Sequence, residues 1–491
     1  MKQLKATAIF LLAAVMITAF AACGSGSSPD PSVTTAESPA DTATAAESET
    51  FYSHPSLPNK DYGGAEFRII TSDNLPVAEE EQTGEIVDDA RYKRNLAIEE
   101  KYSIKFTEKQ IPAGDYPKLT ETFKNSVLAA SDDFDLCRCI MRDAFSMALQ
   151  NYLLPTEALP YADFDSPWYV KLVNDALSIG GKYYLCYTDE CMGVFTEVSC
   201  IFFNKDIVEN LGLPSPYDDV RSGSWTLDRF YENGMAAIND VNGDGKYTIE
   251  GGDVFAVVGE YDRYLVPMWQ GADCMMVRKD ENDIPYFSAI NDERFIGIAQ
   301  ELFDYFMTDG FYYDGFINVR FHEDERLVDN GHFADGQSIF IHSGFGDAVS
   351  FRDMESDFGI VPLAKYDEAQ DHYCSRIADG WLLIVPAHAP DPEKTSIVIE
   401  ELAIGTKNLI IPAYYENALK NKYIRDDDTL EMLELIQANK VIDLGDTIWF
   451  ADIRGPFTSS VYYEKKGNVA SELAKMEKKV NKVIEKALNP G

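Results

Sequence analysis

Two groups of residues in this 491-residue chain have the types and spacing to do chemistry. The sharper is Asp-Val-Asn-Gly-Asp-Gly-Lys-Tyr-Thr at 240–248. Side-chain oxygens at Asp240, Asn242 and Asp244, with glycine in the sixth place, match the first half of an EF-hand-type loop. There, hard oxygen ligands and one backbone carbonyl surround Ca2+. The carbonyl of Lys246 would serve the seventh place. The twelfth place holds Gly251 instead of glutamate, so Glu250 or Asp253 would have to supply the missing carboxylate from a shifted position. Calcium there would be structural. The competing reading is an Asn-Gly/Asp-Gly turn with solvated acids.

The second group suits a polyhydroxylated ligand. Sugar rings pack their C–H faces on aromatic rings, and their hydroxyls need directed polar partners. Trp269, Trp381 and Trp449 are candidate platforms, whereas Trp168 and Trp225 read as packing residues. Asp189 and Glu190 follow an expected strand at 183–187, where a carboxylate could accept from neighbouring hydroxyls. Arg142 and Asp143 follow another at 134–141, and ligands of open α/β sheets sit beyond the carboxyl ends of strands. Against each stands a plainer reading: core packing for a tryptophan, a solvated loop for an acid, a structural ion pair for Arg142.

Enzyme signatures fail. Ser343 in His-Ser-Gly-Phe-Gly lacks the first glycine of a nucleophile elbow. Gly181-Lys182 and Gly245-Lys246 lack the hydroxyl residue and glycine spacing of a phosphate loop. The six histidines show no metal-ligand spacing. Paired carboxylates could serve a glycosidase, but 82 acids make accidental pairs certain, so pairs decide nothing.

The elements that must position these residues begin after a leader. Lys2 and Lys5, an apolar run at 6–20, and Ala21-Ala22-Cys23-Gly24 form an export signal that resembles the bacterial lipobox. That resemblance implies cleavage after residue 22 and acylation of Cys23. The apolar run is shorter than the ~20 residues of a membrane span. Residues 23–50, rich in Ser, Thr, Ala, Pro and acids, read as a disordered tether. A net charge of −39 excludes nucleic acid and adhesion to anionic lipid, both of which need clustered Lys and Arg. Eight cysteines, one of them Cys23, leave seven that cannot all pair. Buried free thiols are expected, with one bridge among Cys186, Cys191 and Cys200 left open.

From residue 51 the pattern alternates strand and helix. Strands are expected at 65–71, 102–107, 134–141, 183–187, 199–204, 338–342, 359–362 and 381–386. Helices are expected at 88–101, 116–130, 205–211, 225–238, 295–306, 391–405, 428–439 and 468–489. Such alternation indicates an α/β body with mainly parallel pairing.

Within this order stand Gly180-Gly181-Lys182-Tyr183-Tyr184, Phe202-Phe203-Asn204-Lys205-Asp206, Gly212-Leu213, Pro216-Tyr217 and Gly223-Ser224-Trp225-Thr226. Phe333-Ala334-Asp335-Gly336-Gln337, Asp379-Gly380-Trp381 and Pro392-Glu393-Lys394 follow. In sequence and spacing these resemble the extracellular solute-binding lipoproteins of bacterial ABC importers, most similarly the family 1-like group that binds sugars and oligosaccharides. The likeness runs over residues 62–488. It implies a two-lobed, type II periplasmic-binding-protein-like fold, with mixed, mostly parallel sheets, helices on both faces, a hinge and a central cleft. By that comparison 51–190 and 354–403 form one lobe, and 191–353 and 404–491 the other. It also implies a non-enzymatic, monomeric receptor on the extracytoplasmic face of the cell membrane, held by its N-terminal lipid. Hinge closure would capture a sugar or oligosaccharide for delivery to the transmembrane permease subunits. A lipid-anchored glycoside hydrolase and a surface glycan-capture protein without a transporter are the alternatives.

Overall fold

The computed structural model describes residues 56–78, 81–314, 327–378, 380–420 and 426–489. The expected leader, the expected tether with Cys23, and Asp379 of the Asp-Gly-Trp motif lie outside the described residues.

Two mixed sheets organise the body. The first has the order β12-β3-β1-β2, from β1 (Ala65–Ser72), β2 (Ile104–Ile111), β3 (Leu136–Ile140) and β12 (Trp381–Ile384). Strand β1 runs parallel to β2 and β3, while β12 runs antiparallel to β3. Every residue of β3 is buried, as expected of a strand covered on both faces. Helix α1 (Ile86–Tyr102) crosses between β1 and β2. Asp88 and Asp89 in its first turn and Lys101 in its last complement the helix dipole. Ser103 then ends it in the left-handed conformation. Helix α2 (Tyr116–Leu128), capped by Asp115 and started by Pro117, leads to β3, and α3 (Met141–Leu149) follows β3 without a linker.

The second sheet has the order β10-β4-β9-β5-β8. Its strands are β4 (Ser199–Asn204), β5 (Phe255–Gly259), β8 (Tyr312–Asp314), β9 (Ser338–Gly344) and β10 (Phe358–Val361). Its pairings are parallel around β5 and antiparallel around β4. Thr226 caps α4 (Leu227–Ala237), its side chain accepting from the Arg229 N–H. Helices α5 (Tyr261–Gly271) and α6 (Glu293–Phe306) follow, with a hairpin of β6 (Val277–Lys279) and β7 (Pro285–Phe287) between them.

The chain returns to the first sheet at β12, after β11 (Ser375–Arg376), and continues into α7 (Pro392–Gly405). One π-helical stretch, Thr406–Ile410, joins α7 to α8 (Ile411–Lys420). Then come α9 (Asp427–Ala438), β13 (Lys440–Val441) parallel to β11, α10 (Arg454–Thr458) and α11 (Val469–Leu488). Helix α11 packs on β7 and α6.

The lobe boundaries differ from those expected. Residues 354–403 do not return to the first lobe as a block, because β10 pairs with β4 in the second sheet. Nor do residues 404–491 all belong to the second, because α8 packs on α1. Strand pairing is a long-range choice, and no change of composition marks either switch. The expected strand at 183–187 is irregular backbone leading into a 3-10 turn at Asp189–Cys191. The cysteines from Cys137 to Cys374 are free and buried, so no bridge joins Cys186, Cys191 and Cys200. No helix among the described residues is long and apolar enough to cross a membrane.

Candidate ligand-binding cleft

A cleft of ≈ 870 Å³ opens among residues drawn from both sheets and from the segments that link them. Its floor is set by the β3–β12 ladder. Trp381 stands opposite Ile140, and the Met141 N–H donates to the Gly380 carbonyl at 2.8 Å. Arg142, in the first turn of α3, therefore emerges beside Trp381, and both line the cleft. Tyr116 meets Trp381 edge-on with ring centroids 5.0 Å apart. The backbone is close-packed here. A Cβ on Gly380 would come within 2.7 Å of the Tyr187 hydroxyl, so only glycine lets this wall approach.

Two buried carboxylates organise the charges. Glu190 lines the cleft from the 3-10 turn and is 2 % exposed. Its Oε1 lies 2.5 Å from Arg138 Nη2 and 3.5 Å from Arg94 Nη1, while its buried Oε2 has no hydrogen-bond partner among the described residues. Arg94 is placed by Thr406, whose hydroxyl accepts from Nη1 at 2.8 Å and donates to the Leu402 carbonyl. The π-helical stretch thus seats the Arg94 side chain. Burial pushes the Arg94 guanidinium down to about 9, against the opposing pull of Glu190.

Asp446 is buried behind Arg376 and Arg454, which line the cleft while it does not. Arg376 grips it with Nε at 2.6 Å and Nη2 at 3.0 Å, and Arg454 donates from Nε at 3.0 Å. Gln270 adds an amide N–H at 2.9 Å. Burial pushes the Asp446 carboxyl up, but Arg376 and Arg454 more than offset it and hold it below its ordinary value. Phe450 carries two guanidinium groups, Arg454 at 4.4 Å and Arg142 at 5.2 Å from its ring centroid.

No protein-family model and no curated protein matches the sequence. Solved structures match the fold. The galacto-N-biose-/lacto-N-biose I-binding protein of the ABC transporter from Bifidobacterium longum, in complex with lacto-N-biose, aligns at a TM-score of 0.59 with 12% identity, covering 87% of this chain and 98% of its own. The sugar-binding protein MalE from Xanthomonas citri aligns at 0.58 with 13% identity, covering 86% and 98%. UgpB from Mycobacterium tuberculosis, in complex with glycerophosphocholine, aligns at 0.57 with 15% identity, covering 87% and 99%. The chain has the two-lobed fold of periplasmic binding proteins.

Within that binding-protein fold, the structure gathers Arg142, Glu190 and Trp381 at the cleft and sends the other expected ligand residues elsewhere. Trp269 is a correction: it is fully buried on α5, packed on Phe295 and Phe457, and offers no face to a ligand. Trp449, also buried, packs edge-on against Phe145. Asp143 accepts from the Thr120 hydroxyl at 3.1 Å, outside the cleft lining. Asp189 turns away from the cleft to Lys407 at 3.0 Å; burial pushes its carboxyl up, with Lys407 opposing. Arg94, Arg138, Arg376 and Arg454 were not among the expected site residues. Arg138 carried a signal: a charge in the middle of the apolar run Leu-Cys-Arg-Cys-Ile must be paired once buried.

The 240–253 loop closes on itself. Asp240 accepts from the Gly243 and Gly245 N–H groups at 2.7 and 2.8 Å. Asn242 accepts from the Asp244 N–H, and Asp244 from that of Lys246, both at 2.9 Å. Asp253 accepts from Val241 and Thr248, both at 2.8 Å. Glu250 is exposed. Among the described residues no three His, Cys, Asp or Glu side chains gather as a metal site.

Proposed function

We propose that this protein is the substrate receptor of an ABC importer, capturing a sugar or oligosaccharide in the cleft and delivering it to a permease. Glu190 carries the reading. Two guanidinium groups occupy one carboxylate oxygen and leave the other without a donor among the described residues, at the wall of a cleft that Trp381 and Tyr116 also line. A sugar supplies what is missing: a hydroxyl for Oε2 and an apolar C–H face for the indole. Structural neighbours bind lacto-N-biose and, in one case, glycerophosphocholine. Binding without reaction needs only that ligand favour the closed form.

Anchoring belongs to the same proposal. It rests on Ala21-Ala22-Cys23 and the polar segment after it, and places a monomeric body on the extracytoplasmic face of the membrane. Structural calcium in the 240–253 loop is also proposed. The support is the order of Asp240, Asn242 and Asp244 with Gly245 donating back to Asp240, since each carboxylate oxygen keeps a second lone pair. A melting temperature unmoved by Ca2+ refutes it.

The test of the main reading is calorimetry of the full chain, made unacylated by Cys23→Ser, against di- and oligosaccharides. A bound sugar raises the melting temperature. Glu190→Gln lowers its affinity by about tenfold or more, the loss of a charge-assisted hydrogen bond. Binding of no saccharide, or release of hydrolysed product, refutes the receptor reading.

A further inference from the structure

Asp446 and Glu190 are both buried and both held by arginine, but not in the same way. Arg376 takes both oxygens of Asp446, with Nε on Oδ2 at 2.6 Å and Nη2 on Oδ1 at 3.0 Å. That two-pronged grip is the usual geometry of guanidinium on carboxylate. Glu190 has two guanidinium groups beside it, yet both approach Oε1, and Oε2 has no partner among the described residues. Each guanidinium carries five N–H donors, so donors are not scarce. They are spent elsewhere.

Arg94 is 1 % exposed and gives its N–H groups to uncharged acceptors. Nε donates to Asn95 Oδ1 at 2.9 Å, Nη2 to the Val77 carbonyl at 2.7 Å and Nη1 to the Thr406 hydroxyl at 2.8 Å. The same Nη1 stops 3.5 Å from Glu190 Oε1. Arg138 likewise gives Nη1 to the Leu75 and Pro76 carbonyls at 3.2 and 3.1 Å, and meets the Glu190 carboxylate through Nη2. Thr406 differs from the other acceptors in being set by a bond of its own. Its one hydroxyl proton goes to the Leu402 carbonyl at 2.8 Å, a turn back, so the oxygen faces Arg94 as an acceptor. Thr406 also opens the π-helical stretch, a distortion that helices often carry at functional sites.

We propose that Thr406 is a positioning residue of the capture site: by holding the Arg94 guanidinium on its hydroxyl, it keeps Glu190 Oε2 open for a sugar hydroxyl. The inference rests on the saccharide-capture reading above and adds the residue that preserves its acceptor. Without the Thr406 hydroxyl, Arg94 Nη1 has a buried N–H to satisfy, and Glu190 is the acid already beside it. The guanidinium then closes on both oxygens, and the carboxylate meant for the sugar is consumed within the protein.

The test is a double-mutant cycle on the unacylated full chain, titrated with galactobiose, lacto-N-biose and maltotetraose and read with whichever binds most tightly. Thr406→Val removes the hydroxyl and should weaken binding about fivefold or more, whereas Thr406→Ser keeps it and should stay within about twofold of the parent. In the Glu190→Gln background, Thr406→Val should change affinity by less than about twofold, because the carboxylate it protects is already gone. Asn95→Ala takes away another acceptor of the same guanidinium and should follow the same pattern, which decides the matter if Thr406→Val does not fold. Equal losses in both backgrounds mean packing or direct contact; they overturn this inference and leave the receptor reading standing. An affinity unchanged in Thr406→Val, or a loss as large in Thr406→Ser, overturns it as well. A parent chain that binds none of the three sugars overturns the receptor reading and this inference together.

Discussion

Asp443 and Asp446 stand three residues apart, both buried, and their environments drive them in opposite directions. Asp446 faces two guanidinium groups and is held below the ordinary carboxylate range. Among the described residues Asp443 has backbone donors alone, the N–H groups of Met276, Val277 and Gly445 at 2.6, 3.1 and 2.8 Å. Burial pushes it up to about 7, the backbone bonds oppose this, and the charge of Asp446 adds to it. Burial by itself neutralises a carboxyl; a paired guanidinium keeps it charged. The two acids accordingly serve different regions. Asp446 braces the arginine wall of the cleft, whereas Asp443 ties the start of the β6–β7 hairpin to the chain before α10.

The comparison can be broken most forcefully at Asp446. Asp446→Ala leaves Arg376 and Arg454 buried without their shared anion and should cost roughly 3–5 kcal/mol in urea unfolding. Asp443→Ala strips an acceptor from buried N–H groups and should cost less, about 1–3 kcal/mol. If the two losses are equal, the guanidinium pairing is worth no more than backbone bonds and the contrast fails.

Acidification sharpens it. Asp443 and Glu400 are both raised to about 7, Glu400 by burial against the donors Tyr169 and Trp168. In the unfolded chain such carboxyls titrate near ~4. Between those values the folded protein holds protons that the unfolded chain has released, so stability falls as pH rises through this window and levels off above about 7. The melting temperature should therefore increase on going from neutral pH toward pH ~5.5. Asp443→Asn should flatten that slope. A slope unchanged in the variant would mean that Asp443 is already ionised. The smallest effect is expected for Trp381→Ala, which should shift stability by about 1 kcal/mol or less while weakening saccharide binding severalfold.

Much of the scaffold could be read directly from residue order. The strand at Ser199–Asn204 and the capped helices beginning at Leu227 and Pro392 lie where apolar periodicity and capping residues place them. The same reading assigns no strand to Phe255–Gly259 and no helix to Tyr261–Gly271. Pro267 stands inside that helix, and proline in a helical interior removes a hydrogen bond, so it reads as a break. That omission is what left Trp269 available as a false platform. Trp381 and Arg142 could be found because each adjoins the end of an evident strand of the first sheet. Arg376 and Arg454 could not, because the acid that joins them is 70 residues from one and 8 from the other.

Local order alone determined the α/β alternation and the excess of acid, since each is a property of composition or of spacing within one element. Only the tertiary structure decided which arginines share a carboxylate, which tryptophan faces the cleft and where the chain changes sheets. Those outcomes depend on contacts between distant segments, and the free energy of burying a charge is set by what the fold brings beside it, not by its neighbours in the chain.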